Sequence, residues 1–399
     1  MLDLFNTVTG NTTFRVTFLA CGLIAMIMFG IIGVGQFNSQ KSHGDMSGMR
    51  EAGQLWLNGL SMYDRDAWMI LDPTRKKVPN IAYPPQAAPL FMLLGSFSFA
   101  VARIIMIILN IFCVGVIAFF SLRLLKQADV KNLEAAWWFI PALLMCNPYT
   151  FNVLWQGQTG LIVTAALMGG WYFAYRNQWI LGGILIAIAS IKPHLSILVI
   201  LWLLLDRQWR LLAVAAVTVL VFSLVPMVVS GPIDVFLDWF KIVSRYQGHG
   251  VNQLGSPQIA TIQNMLYIGG LKGIPNLLPV GVILTGILWW YRSKFFTNDI
   301  FGILLGMMLL FGYGHVYDWI LLAPLIAIFW IHLYKSENMT KIRVAIGLMF
   351  IIFFPRRLLT YTFPDQIPDL LLLYRTPVLL GIVIWLLVMG LLKYKTERT

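Results

Sequence analysis

The chain has 399 residues; 59% are apolar types, 12% are charged, and the net charge is +12. A soluble domain carries about 45–50% apolar and about 25% charged residues, so this composition cannot cover a water-exposed surface and excludes a soluble globular class. The excess positive charge sits mostly between apolar runs, which makes lipid headgroups and lipid phosphates the expected anionic partners, with no nucleic acid.

A bilayer core about 30 Å thick needs about 20 apolar residues per helix. The first apolar run, about 13–37, is longer than a signal-peptide core and is expected as an uncleaved first span. Residues 38–99 form the most polar stretch of the chain. Their last part, 86–99, follows Tyr83-Pro84-Pro85 and is short for a span; it reads as an interfacial helix or as the tilted start of the next span. Spans follow at about 100–123, 134–151 and 159–175. Residues 179–205 are apolar but interrupted by Lys192-Pro193-His194. Proline breaks a helix, and a lysine at mid-bilayer costs at least about 2.5–3.5 kcal/mol, so this segment is expected to enter the membrane, turn at Lys192 and return. Spans at about 211–229 and 276–291 flank a second polar loop, 230–275. The interrupted pattern then recurs at 300–334, broken by Gly312, Gly314, His315, Tyr317 and Asp318, before spans at about 342–355 and 376–392. Cys21, Cys113 and Cys146 lie in or beside apolar stretches without a CxxC pair and are expected as packing residues.

The expectation is an all-α, polytopic transmembrane protein, one domain over 1–399, with about 8 full spans, two broken re-entrant hairpins and an interfacial helix. Arg123, Lys126, Arg176, Arg207, Arg210, Arg292, Lys294, Lys335 and Lys393 cluster at span ends on one side, which the positive-inside rule makes cytoplasmic. Loops 38–99, 230–275 and 356–375 are then outside.

Asp45 follows the first span in the outer loop, where desolvation can raise a carboxyl pKa and suit it to general-base work, although a solvated loop aspartate has the same position. Asp64-Arg65-Asp66 has the spacing of a metal-binding DxD but reads more simply as a turn after Tyr63, so no metal is assigned. Trp155-Gln156-Gly157-Gln158 is a polar turn at a span end or a reader of sugar hydroxyls. Ionisable residues inside a membrane are functional candidates by default. Lys192 can meet a lipid phosphate or form a structural ion pair with Asp318 across the two broken segments. Arg245, Arg356 and Arg357 in the outer loops are further phosphate-binding candidates or ordinary solvated loop arginines.

In order, these marks resemble the multi-spanning GT-C glycosyltransferases, and within them glycosyltransferase family 87, which includes mannosyltransferases using polyprenyl-phosphate-mannose. The likeness rests on Asp45, Leu57-Asn58-Gly59-Leu60-Ser61-Met62-Tyr63-Asp64, Tyr83-Pro84-Pro85, Gly157-Gln158, Ile191-Lys192-Pro193, Asp206-Arg207-Gln208-Trp209-Arg210 and His315-Val316-Tyr317-Asp318. It implies a GT-C-like fold and inverting, metal-independent transfer of a hexose, mannose being favoured, from a polyprenyl-phosphate donor. The acceptor would be a glycan or glycolipid at the outer face of a bacterial inner membrane. Asp45 would be the base, Lys192 and His315 donor-phosphate contacts with the three arginines, and His43, Tyr83, Gln158, Tyr317 and Asp318 substrate contacts. A transporter with a mid-membrane Lys/Asp site and a lipid-glycan ligase using a diphosphate donor are the rival readings.

Overall fold

The computed structural model describes residues 11–39, 45–74, 78–79, 81–130, 133–246, 248, 252–335, 339–354, 371 and 373–396. Helix dominates the described residues and no strand forms among them, so the all-α class is as expected. Helix α1 (Thr12–Ser39) is the first span. Three short helices follow: α2 (Asp45–Leu57), α3 (Arg65–Leu71) and α4 (Ala88–Gly95). A Cβ on Gly53 would lie 1.8 Å from the Phe91 carbonyl oxygen, so α2 and α4 cross in backbone contact. Met49 and Trp56 from α2 and Phe91 and Leu94 from α4 are buried around that crossing. Helix α4 is not the start of the next span: the chain breaks at Ser96, and Ser98 caps the long helix α5 (Phe99–Gln127).

The expected span 134–151 is divided. Helix α6 (Leu133–Met145) ends before Asn147, whose side chain accepts from Tyr149 N at 2.8 Å and opens α7 (Pro148–Gln156). Proline at the first helical position fits such a restart. Helix α8 (Gly160–Ala174) and helix α9 (Trp179–Ala189) run side by side. On its other side α9 meets α11 (Trp209–Phe222) closely enough that a Cβ on Gly183 would lie 2.6 Å from the Leu211 carbonyl oxygen. Small residues permit such approach without a hydrophobic drive between helices in lipid.

Both interrupted segments are hairpins. The first has α9 and α10 (Ile197–Leu205) as arms. Its ends meet: Tyr175 Oη donates to Asp206 Oδ2 at 3.0 Å and accepts from Trp202 Nε1 at 2.8 Å. After α11, the expected span 211–229 bends by 51° into α12 (Leu224–Ser230), where Pro226 interrupts the backbone hydrogen bonds. The second polar loop contains α13 (Asp234–Tyr246) and α14 (Ile262–Ile268), followed by α15 (Leu278–Trp290). The second hairpin pairs α16 (Thr297–Phe311) with a 3₁₀ turn, Val316–Leu322, and α17 (Leu325–Lys335). His332 Nε2 lies 2.9 Å from Asp299 Oδ1, closing its base. Helices α18 (Met339–Ile352) and α19 (Arg375–Thr396) complete the described chain.

Among the described residues, three helices are long and apolar enough to cross a bilayer alone, or up to five if each bent pair counts as one. The remaining expected spans are shorter helices, such as α8 and α15, or hairpin arms. One end of the molecule collects the hairpin bases, with Arg292 Nε 3.9 Å from Asp206 Oδ1. The hairpin tips converge at the other end.

Candidate active site

Asp45 occupies the first turn of α2, where the helix dipole favours a carboxylate. The side chain is accessible, yet protein surrounds it in a recess. Removal from bulk water is therefore the largest influence and raises its pKa, opposed by a hydrogen bond from Gln158 and the charge of Lys192 and assisted by Asp318. Gln158 Nε2 donates to Asp45 Oδ2. The turn carrying Gln158 depends on Gly157, which caps α7 at φ +64 and whose missing Cβ would sit 2.8 Å from Met46 Cβ. That glycine lets the turn approach the N-terminus of α2.

Tyr83 completes the first half of the site. Its hydroxyl donates to Gln158 Oε1 at 3.0 Å and shares a second bond with Thr159 Oγ1 at 2.9 Å. Tyr63 Oη donates to the Tyr83 carbonyl at 2.8 Å, and Trp239 Nε1 to the Ala82 carbonyl at 3.0 Å. Gln86 Nε2 bonds Ser190 at its carbonyl (3.1 Å) and hydroxyl (3.0 Å), which fastens the proline-rich loop to the first hairpin tip.

The second half is the junction of the two tips. Lys192 Nζ lies 2.8 Å from Asp318 Oδ1, with the side chains only 5% and 1% exposed. This is the ion pair weighed from the sequence. A buried lysine so paired has much of its charge neutralised, which weakens it as a lone phosphate ligand. Asp318 Oδ2 accepts from His315 N at 3.0 Å and lies 3.7 Å from His194 Nε2. The His315 ring stacks on Tyr317 at 5.1 Å, its Nε2 meets Tyr313 Oη at 3.0 Å, and Lys192 Nζ stands 4.9 Å from the Tyr317 ring centre. Val316 N donates to the Gln258 carbonyl at 2.9 Å, tying this tip to the second polar loop. The loop is held by buried Asn264, which donates to the Ser256 and Ile259 carbonyls and accepts from Gly255 N. The Tyr83 ring centre lies 6.0 Å from Lys192 Nζ, so the halves adjoin.

Asp45, Tyr83, Gln158, Lys192, His315, Tyr317 and Asp318, scattered over the sequence, therefore form one site. Arg245 is exposed in the last turn of α13, next to Tyr246, whose ring packs edge-on against Tyr313 at 5.9 Å. His43, Arg356 and Arg357 lie outside the described residues. Asp64 caps α3, its Oδ1 accepting from Asp66 N at 3.0 Å, which gives the Asp64-Arg65-Asp66 pattern a structural role. Sequence reasoning passed over Thr159, His194, Tyr313 and Tyr246. Of these, only His194 carried a signal, its place beside Lys192-Pro193; His194 is also one-third exposed.

No curated protein and no solved structure matches the chain. The profile of glycosyltransferase family 87 matches residues 81–355, a stretch that includes Tyr83, Gln158, Lys192, Arg245, His315 and Asp318 and begins after Asp45. That match covers more than half of an all-helical membrane protein whose polar residues converge on one recess, and the chain belongs to glycosyltransferase family 87.

Proposed function

We propose that this glycosyltransferase moves a hexose, with mannose favoured, from a polyprenyl monophosphate to a glycan or glycolipid acceptor, inverting the anomeric centre and using no metal ion. The observation that carries this reading is the setting of Asp45: a carboxylate accessible in a recess, with its pKa raised, beside the hairpin tips. A phosphate leaving group needs cations rather than a general acid, so one carboxylate suffices where most glycosidases need two. Asp45 takes the proton of the acceptor hydroxyl. The acceptor oxygen bonds to the anomeric carbon, and the bond from that carbon to the phosphate oxygen breaks, its electron pair leaving with polyprenyl phosphate. His315, Lys192, Arg245, Arg356 and Arg357 are the proposed phosphate contacts; Lys192 also pins the hairpin tips through Asp318. Tyr83 and Tyr317, with His43, offer hydroxyls and rings to the sugars.

The site faces outward from a bacterial inner membrane in this reading. Support comes from Arg176, Arg207, Arg210 and Arg292, which flank the hairpin bases at the end away from Asp45. Incubation of purified protein with polyprenyl-phosphate-mannose and lipid extract should give hexose-extended lipids by mass spectrometry, with and without chelator. Transfer abolished by chelation and restored by a divalent ion would refute the metal-free step.

A further inference from the structure

We infer that Gln158 is a positioning residue for the base: it holds Asp45 Oδ2 and leaves Oδ1 to receive the acceptor proton. The inference rests on the general-base reading of Asp45. Gln158 is only 3% exposed, and both ends of its amide are engaged, Nε2 with Asp45 and Oε1 with the Tyr83 hydroxyl. An amide so buried and engaged at both ends has only its second N–H and its second lone pair left for a sugar hydroxyl.

The direction of the amide is set by its neighbours. An ionised carboxylate only accepts, so the amide nitrogen faces Asp45 and Oε1 faces the Tyr83 hydroxyl, which donates to it and accepts from Thr159 Oγ1. Reversal would set an amide oxygen against a carboxylate oxygen. The backbone is fixed too: Asn110 Nδ2 on α5 donates to the Gln158 carbonyl at 3.3 Å, and Gln158 N donates to the Val153 carbonyl at 2.9 Å. Among the described residues, nothing donates to Asp45 Oδ1. The base is thus anchored through one oxygen to a turn that is itself bonded to α5, α7 and the Tyr83 loop.

The test is a double-mutant cycle with Gln158→Leu and Asp45→Asn, read as turnover of polyprenyl-phosphate-mannose by the purified full-length chain. Misplacing a reacting group by about 1 Å can cost about 10²-fold, so Gln158→Leu should lower kcat by about that factor while moving donor KM little. Loss of a hydrogen bond to the charged carboxylate should also shift the acidic limb of the pH profile to higher pH. Gln158→Glu, isosteric but bringing a second carboxylate, should shift it further. In the Asp45→Asn background, Gln158→Leu should cause no additional loss. A Gln158→Leu variant with raised KM and unchanged kcat, an unmoved acidic limb, or losses that multiply in the double variant would each overturn the positioning role and leave the base reading standing. Normal turnover in Asp45→Asn would overturn both.

Discussion

At the scale of single residues, the base proposed for Asp45 works only when ionised. A base contributes about 10²–10⁴-fold, so Asp45→Asn should bind the lipid donor and transfer little, measured by equilibrium binding and by turnover. Its raised pKa gives a sign for pH dependence. Transfer should fall as pH drops through that raised value, at a higher pH than for an aspartate near the usual value of about 3.9. For stability, a carboxyl whose folded pKa is raised favours the fold when protonated, and that contribution is lost as pH rises through the folded value. Asp45→Asn, neutral throughout, should therefore unfold in detergent at an equal or higher temperature than the parent at neutral pH. The Lys192–Asp318 pair makes the opposite case. Removing one partner of a buried pair costs about 3–5 kcal/mol because the other charge is stranded. Lys192→Ala should therefore lower the thermal midpoint, and Lys192→Met with Asp318→Asn should recover it, since asparagine can still accept from His315 N. Transfer that returned along with stability would make the pair purely structural.

At the scale of elements, the site depends on short helices held at close range. The α2–α4 crossing has no room for a side chain at Gly53. Overpacking costs about 1–3 kcal/mol, so Gly53→Val should separate the two helices and expose them to limited proteolysis while the long spans remain assembled. Helix α13 has a different task. Leu237 and Phe240 are exposed on it (50% and 59%), Lys241 and Arg245 lie among them, and Trp239 is bonded to the Tyr83 loop. An amphipathic helix of this kind is suited to a membrane interface, and Trp239 and Tyr246 connect it to the site. Trp239→Phe keeps the ring and removes the hydrogen bond; it should raise donor KM with little change in stability.

At the scale of the whole molecule, two hairpins share one polarity. Their bases are closed by Tyr175–Asp206 and Asp299–His332, and their tips are joined by Lys192–Asp318. Asp64 is exposed on the side of Asp45, and Lys294 follows α15 on the side of the bases. In an otherwise cysteine-free background, a cysteine replacing Asp64 should react with a membrane-impermeant thiol reagent applied outside intact cells, and one replacing Lys294 should not. The reverse pattern would turn the site towards the cytoplasm.

The chain's composition placed it in a membrane, because 12% charged residues cannot cover a water-exposed surface, and its long apolar runs made it helical. Local chemistry also carried the breaks: Pro193 after Lys192, the glycines around His315, and Asp45 after the first span were legible because each interrupts or follows an apolar run. Contacts across the chain were not legible, since nothing near Gln158 in sequence reveals that its amide meets a carboxylate 113 residues earlier. The same holds for Lys192, for which the sequence favoured a phosphate over Asp318 as partner, while the structure joins it to Asp318 at the hairpin tips. Span lengths read from hydropathy likewise missed the divisions at Asn147 and Ser223, where a cap and a nearby proline redirect helices of unbroken apolar character. Hydropathy records which solvent a segment prefers. Only packing decides which of its polar groups face one another, because those bonds replace water that the membrane does not supply.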